Sequence, residues 1–305
     1  MFDIIGKRFW FFLISGAVIL IGIISLLSAG LPAGIEFSSG SMLTVQFEEP
    51  VEYDQFKQEI SDLGYPDAII QSAGEGQFLI RTQELSDAEK TQIESTLSDQ
   101  FGQVSEAQFT SVSPQVAAET VSNATIAVAI AAIGILLYVT WAFRRMPRPL
   151  HYGTCAIVAL VHDALIAMGV FSILGAILGW EINIMFITGL LAVIGYSVNN
   201  TVVIFDRIRE NLTKGIGANF EAVVNNSLVE TLSRSVNTSV TTLIVVLALF
   251  LFVGATIQNF AVVLIIGILA GTFSSVCIAP SLLVVWDNKE WGRFMFWRQY
   301  SKARD

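Results

Sequence analysis

Charge is scarce in this chain. Asp, Glu, Lys and Arg make up 14% of its 305 residues, 53% are hydrophobic, and the mean hydropathy is +0.64. A soluble domain carries nearer a quarter charged residues, so much of this surface has to face something other than water. Cysteine and histidine are scarce too, with two of each. Cys155 and Cys277 both fall in apolar runs and read as packing residues, not as a disulfide. His151 and His162 alone give no ligand set for a metal. No Gly-x-x-x-x-Gly-Lys-Ser/Thr stretch offers a phosphate-binding loop, so ATP hydrolysis has no seat. No Gly-x-Ser-x-Gly elbow and no His-Glu-x-x-His pair supports hydrolase chemistry. These absences argue against an enzyme and against any cofactor.

What the chain does have is long apolar runs, at roughly 9–31, 122–143, 152–179, 183–205, 235–253 and 260–286. Each can cross a hydrocarbon core about 30 Å thick. The pattern predicts a polytopic α-helical membrane protein with six spans. The first run is too long for a signal-peptide core and reads as a retained anchor. Basic residues sort to one side of the six-span plan. Lys7 and Arg8 precede the first span, and Arg144, Arg145 and Arg148 follow the second. Arg207, Arg209 and Lys214 follow the fourth. Lys289, Arg293, Arg298, Lys302 and Arg304 follow the sixth. The positive-inside rule makes that side cytoplasmic, with both termini inside.

Residues 32–121 then lie outside. They hold 16 of the 26 acidic residues but only three basic ones, Lys57, Arg81 and Lys90. Such an acidic segment is unsuited to nucleic acid. It reads as a small α+β domain. Met42–Phe47 alternates like a strand, and Val51–Leu63 has helical spacing. Asp67–Ser72 and Gln77–Thr82 flank the turn Ala73-Gly74-Glu75-Gly76. Ser86-Asp87-Ala88-Glu89 is a capping box opening a helix through Leu97, and Gln103–Val112 alternates again. The order βαββαβ is the ferredoxin-like pattern. The predicted organisation is 1–31 (cytoplasmic N-terminus and first span), 32–121 (extracytoplasmic domain), 122–286 (five more spans) and 287–305 (cytoplasmic tail). The chain contains no second copy of this plan, so it amounts to half of a twelve-helix transporter.

Polar residues inside apolar spans are the candidate functional residues, because hydrocarbon penalises unpaired polar groups. His162 and Asp163 sit mid-span, either as a hydrogen-bonded structural pair or as a functional one. Gly195–Asn211 brings Asn199, Asn200 and Thr201 to the end of the fourth span. Thirty-four residues after Asn200, Arg234 opens the fifth, followed on or near one face by Asn237, Thr238 and Thr241. Arg234 can snorkel to the surface or, if the two spans pack side by side, bind an asparagine carbonyl. Asp206, Arg207, Arg209 and Glu210 read as a solvated exit. Phe220, Val223, Val224 and Leu228 suggest an amphipathic helix on the inner surface. Gly34–Gly40 reads as a tight connection.

Four stretches carry a family resemblance: Gly34–Gly40, Val161-His162-Asp163, Gly195–Asn211 and Thr231–Ser239. Over nearly its whole length the chain resembles the SecF family of bacterial protein-export membrane subunits, within the RND-type transporters. The resemblance implies a place in the bacterial cytoplasmic (inner) membrane. It implies pairing with SecD, work beside the SecYEG translocon, and proton-driven assistance to exported, unfolded polypeptide, with membrane lipid as the surrounding partner. It also marks Asn200 and Arg234 as relay positions. The family normally has Asp where this chain has Asn200, and Asp and Gly where it has Glu36 and Ser39. Asn cannot titrate, which leaves Asp163, modulated by His162, as the remaining titratable candidate. The alternatives are an RND-type exporter of lipids or hydrophobic small molecules, and a scaffold that only binds the translocon.

Overall fold

The computed structural model describes residues 3–74, 76–252 and 255–293. Glu75 of the predicted turn and the tail residues Arg298, Lys302 and Arg304 lie outside them. Among the described residues six helices are long and apolar enough to cross a membrane: Ile5–Ser28, Pro114–Ala142, Pro149–Leu178, Ile184–Thr213, Phe220–Phe252 and Ile257–Asp287. The chain is a multi-pass membrane protein. Its backbone forms two compact units. The first is Met1–Leu31 with Ala127–Ala176 and Met185–Asp305; the second is Pro32–Ile126 with Ile177–Ile184.

The second unit opens with α2 (Ile35–Ser38), a single turn inside the predicted connection. Ser39 and Gly40 follow at φ 64° and 123°. A Cβ at Gly40 would lie 2.4 Å from the Thr82 carbonyl oxygen, so only glycine fits. Then come β1 (Gly40–Phe47), α3 (Tyr53–Asp62), β2 (Ile69–Gly74), β3 (Gln77–Thr82), α4 (Asp87–Phe101) and β4 (Val104–Val112). The sheet order is β2-β3-β1-β4, with every neighbouring pair antiparallel. Alternation on β1 and β3 sends Leu43, Val45, Phe47, Phe78 and Ile80 into one core with Phe56, Ile60, Ile93 and Leu97 from the helices. Phe56 stacks on Phe78 with centroids 4.2 Å apart. Each such side chain contributes about 1.5–3 kcal/mol on full burial.

The loop 177–184 belongs to this unit by specific bonds. Ile182 bridges Ala33 in parallel, accepting from the Gly34 N–H at 2.7 Å and donating to the Pro32 carbonyl at 2.8 Å. Arg81 pairs with Glu181 and also donates to Ser38 Oγ at 2.6 Å. Burial raises the Glu181 carboxyl above the usual range; Arg81 opposes that shift and Glu36 adds to it.

The first unit holds α1 (Arg8–Ser28), α6 (Pro149–Leu178), α7 (Ile184–Thr213), α8 (Phe220–Phe252), α9 (Ala255–Phe273) and α10 (Ala279–Asp287), joined by α5 (Pro114–Ala142). Lipid supplies no hydrophobic drive for helices to associate, so close approach depends on small residues. A Cβ on Gly22 of α1 would come within 3.0 Å of the Gly169 Cα on α6. Between α9 and α10, Ser274–Ile278 widens into a π turn. Pro280 follows. It lacks an N–H and crowds the carbonyl four residues back, which a widened turn relieves.

Two elements differ from the sequence reading. The surface helix expected around Phe220–Leu228 is the start of α8. No Gly or Pro interrupts Phe220–Phe252, so nothing ends the helix before the span begins. Likewise α7 continues through the charged exit to Thr213. Arg207–Glu210 at i,i+3 and Glu210–Lys214 at i,i+4 pair along its surface.

Arg8, expected only as a topogenic charge, is 5% exposed. Its guanidinium binds Glu221 at 2.6 Å and both oxygens of Glu290 at 2.8–3.1 Å. Asn225 Oδ1 accepts the Ile4 and Ile5 N–H groups at 2.9 and 3.2 Å. This buried, fork-like pairing ties the start of α1 to α8 and to the segment after α10.

Candidate functional site

Asp163 lies midway along α6 and is 1% exposed. Its Oδ2 accepts from Ser197 Oγ of α7 at 2.6 Å and from Ser274 Oγ of the π turn at 2.9 Å. Its Oδ1 meets His162 Nδ1 at 2.9 Å. The imidazole stacks on Phe273. The approach of α9 requires Gly271, where a Cβ would lie 3.0 Å from Ser197 Cβ and 3.4 Å from Asp163 Oδ2. Three elements thus converge on one carboxylate with three hydrogen-bonding partners. Such a group can hold or give up a proton without moving the backbone, because serine hydroxyls rotate between donating and accepting.

A second polar cluster centres on Ser239 of α8. It accepts from Tyr196 OH at 3.1 Å, from Thr272 Oγ1 at 2.6 Å and, at the 3.5 Å limit, from Asn200 Nδ2. Asn200 and Thr201 are buried.

Arg234 is in a different setting. It borders an open cleft of about 400 Å³ with Val203, Asp206, Arg207, Glu210, Glu230 and Thr231. Arg207 takes two acidic partners there, Glu230 at 2.6 Å and Glu210 at 2.5 Å, Arg209 takes Asp206 at 2.5 Å, and Asn211 adds a bond to Glu230 at 2.9 Å. Among the described residues the Arg234 guanidinium has no hydrogen-bond or ion-pair partner. The anticipated bond from Arg234 to Asn199 or Asn200 does not form: Asn200 turns to Ser239, and Asn199 is exposed. Arg234, Asn237 and Thr241 are also exposed, while Thr238 is half-buried and donates to the Arg234 carbonyl.

So the structure brings together His162 and Asp163, joins Asn200 to a separate hydroxyl cluster, and leaves the Arg234 face open. Sequence reasoning missed Ser274 as a partner of Asp163. The signal was present in the small-residue stripe Gly267, Gly271, Ser274 and Ser275 on a helical spacing.

Six membrane-length helices with a buried carboxylate among them, and a small sheet unit, define a multi-pass membrane protein. Residues 92–289 match the family model described as protein export membrane protein SecD/SecF, C-terminal. The chain is 43% identical to the protein translocase subunit SecF of Thermobaculum terrenum, over 96% of each chain. It is 40% identical to that of Anaerolinea thermophila, over 95% of this chain and 96% of the relative. The crystal structure of SecDF, a translocon-associated membrane protein from Thermus thermophilus, superposes with a TM-score of 0.85 at 31% identity. That match covers 94% of this chain and 39% of the SecDF chain, so this chain spans about two fifths of SecDF. The chain belongs to the SecD/SecF family of protein-export membrane proteins.

Proposed function

We propose that the chain is the SecF-type subunit of a protein-export machine. It pairs with SecD to complete twelve spans and works beside SecYEG in the bacterial inner membrane. Driven by the proton-motive force, it assists translocation of unfolded polypeptide. The observation that carries this reading is the open polar face of α8. Arg234 and Asn237 are exposed on a membrane-spanning helix, where lipid would leave them unsatisfied. A second membrane subunit with complementary polar side chains covers that face. The full-length kinship to SecF relatives supports SecD as that subunit.

The basic loops support both termini inside and residues 32–121 outside. The unit containing those residues is read as ferredoxin-like, supported by its antiparallel order β2-β3-β1-β4 with two helices. In the relay, Asp163 carries the proton and His162 sets its orientation. Arg234 supplies fixed positive charge. Asn200 holds the relay position without titrating. Asn199, Thr201, Asn237, Thr238 and Thr241 line the polar path. A proton crossing the membrane releases about 2.3 kcal/mol per 100 mV, enough to bias two conformations a few kcal/mol apart.

Affinity purification of the chain co-expressed with SecD tests the pairing. Stoichiometric SecD is expected, and Asn237→Leu reduces it. Recovery of the chain alone would reject the pairing. Export into inverted vesicles, with the proton gradient present and then collapsed, tests the drive.

A further inference from the structure

A crevice of about 380 Å³ opens between α1, α6 and α9. Its wall is apolar: Val18, Ile166, Leu269 and Phe273 among others. Two polar side chains border it, Ser15 and His162, each 6% exposed. Among the described residues the Ser15 hydroxyl has no hydrogen-bond partner, although a helical serine commonly bonds the carbonyl one turn back. His162 Nε2 is buried without a partner. Buried polar atoms are nearly always paired, so the orphaned Nε2, with an unpaired hydroxyl on the same wall, points to something that pairs it.

Their chemistry narrows the occupant. Ser197 and Ser274 donate to the Asp163 carboxylate, and His162 Nδ1–H is the donor left for its other oxygen. A neutral ring protonated at Nδ1 presents a lone pair at Nε2. A charged ring presents Nε2–H instead, so the crevice offers at Nε2 a group that a hydroxyl pairs in either form, and beside it one hydroxyl, Ser15. Both lie mid-span, away from headgroup depth. An apolar pocket of a few hundred Å³ with few polar groups is the usual form of a small-molecule site. We propose that the crevice binds a neutral, membrane-dissolved molecule with an apolar body and one hydroxyl, which hydrogen-bonds with His162 Nε2 and with Ser15. This does not rest on the export reading, although an occupant there touches the residue that orients Asp163.

The test uses the full chain with SecD in lipid nanodiscs. The probes are a diazirine-bearing hexadecanol and the matching hexadecane, with labelled peptides mapped by mass spectrometry. The alcohol is expected to label α1, α6 and α9 around the crevice about tenfold more than the alkane, the discrimination that one or two hydrogen bonds supply. Unlabelled hexadecanol should compete the label away. Ser15→Ala reduces the preference for the alcohol, and Leu269→Trp, or Val18→Trp should the first not fold, removes crevice labelling. Leu13→Trp, on an exposed part of α1 outside the lining, leaves it intact. Equal labelling by alcohol and alkane, or label spread evenly over lipid-facing helices, overturns the proposal. So does absence of crevice labelling in the SecD complex, which would make the crevice a protein contact.

Discussion

The polar residues of the bundle fall into two regions that solve one problem in opposite ways. Around Asp163, three elements of the same chain close on a carboxylate and give each of its oxygens a partner. Around Arg234, the polar groups stand open, and the nearby carboxylates are already committed to Arg207 and Arg209. A closed cluster is a property of the chain, whereas an open one is half of something larger. The difference locates a chargeable group inside the subunit and a fixed charge at its boundary.

The largest expected effect comes from removing titration at the closed site. Asp163→Asn keeps the shape and offers an amide that the two serine hydroxyls can rotate to meet. The protein should fold, and gradient-stimulated export should disappear. Asp163→Leu should also destabilise it, since each orphaned buried partner costs about 1–3 kcal/mol. Export assays and thermal unfolding in nanodiscs separate the two. Gradient-stimulated export by Asp163→Asn at the wild-type level would dissolve the distinction between the regions.

Next is the open face. Arg234→Ala should cut export severely and weaken SecD retention. Lys214→Ala should do neither, because the Lys214–Glu210 pair is exposed on the same cleft side, where such pairs contribute about 0–1 kcal/mol. Equal effects from both, at matched expression, would mean that Arg234 is an ordinary surface charge.

Asn200→Asp tests whether the regions can be linked. A carboxylate at this position could be charged and then neutralised during turnover. Gradient-dependent export should rise, measured with SecD and the translocon reconstituted. No change would leave the coupling to Asp163 alone.

Much of this was readable from residues, for physical reasons that differ by region. The sheet unit follows from short-range rules. Gln77–Thr82 alternates and is a strand over those same residues, and the capping box at Ser86 opens α4. In the spans, apolar runs reveal existence but not ends: α7 and α8 run past the apolar stretch because charged surface turns remain helical. Ser274 stands in a legible small-residue stripe, but nothing local in that stripe ties it to Asp163. Its role depends on a π turn and on glycine contacts made across the bundle. The Arg8 lock was hidden similarly, since Glu221 and Glu290 lie more than two hundred residues away in sequence.

The smallest expected effect calibrates the others, by setting a water-exposed serine against a buried one. Ser86 and Ser274 both bond a carboxylate, Glu89 and Asp163 respectively. Ser274→Ala leaves part of a buried carboxylate unsatisfied, whereas Ser86→Ala exposes α4 groups that water can reach. Ser86→Ala should therefore cost only about 1 kcal/mol, the usual worth of an N-cap. Thermal unfolding of residues 36–115 measures it, and a dispersed amide spectrum first establishes that this segment folds alone. The cost should also depend on pH in a defined direction. Hydrogen bonds from the Ser86 hydroxyl and backbone N–H hold the Glu89 carboxyl below its usual range. A depressed carboxyl contributes stability that is fully present above its unfolded pKa and is lost as pH falls through the folded value. The gap between wild type and Ser86→Ala should therefore be constant near neutrality and narrow in acid below about pH 4.3. A gap that stays constant into acid would show that the serine caps α4 without help from Glu89, and a gap equal to that of Ser274→Ala would remove the contrast between a cap in water and a bond inside the bundle.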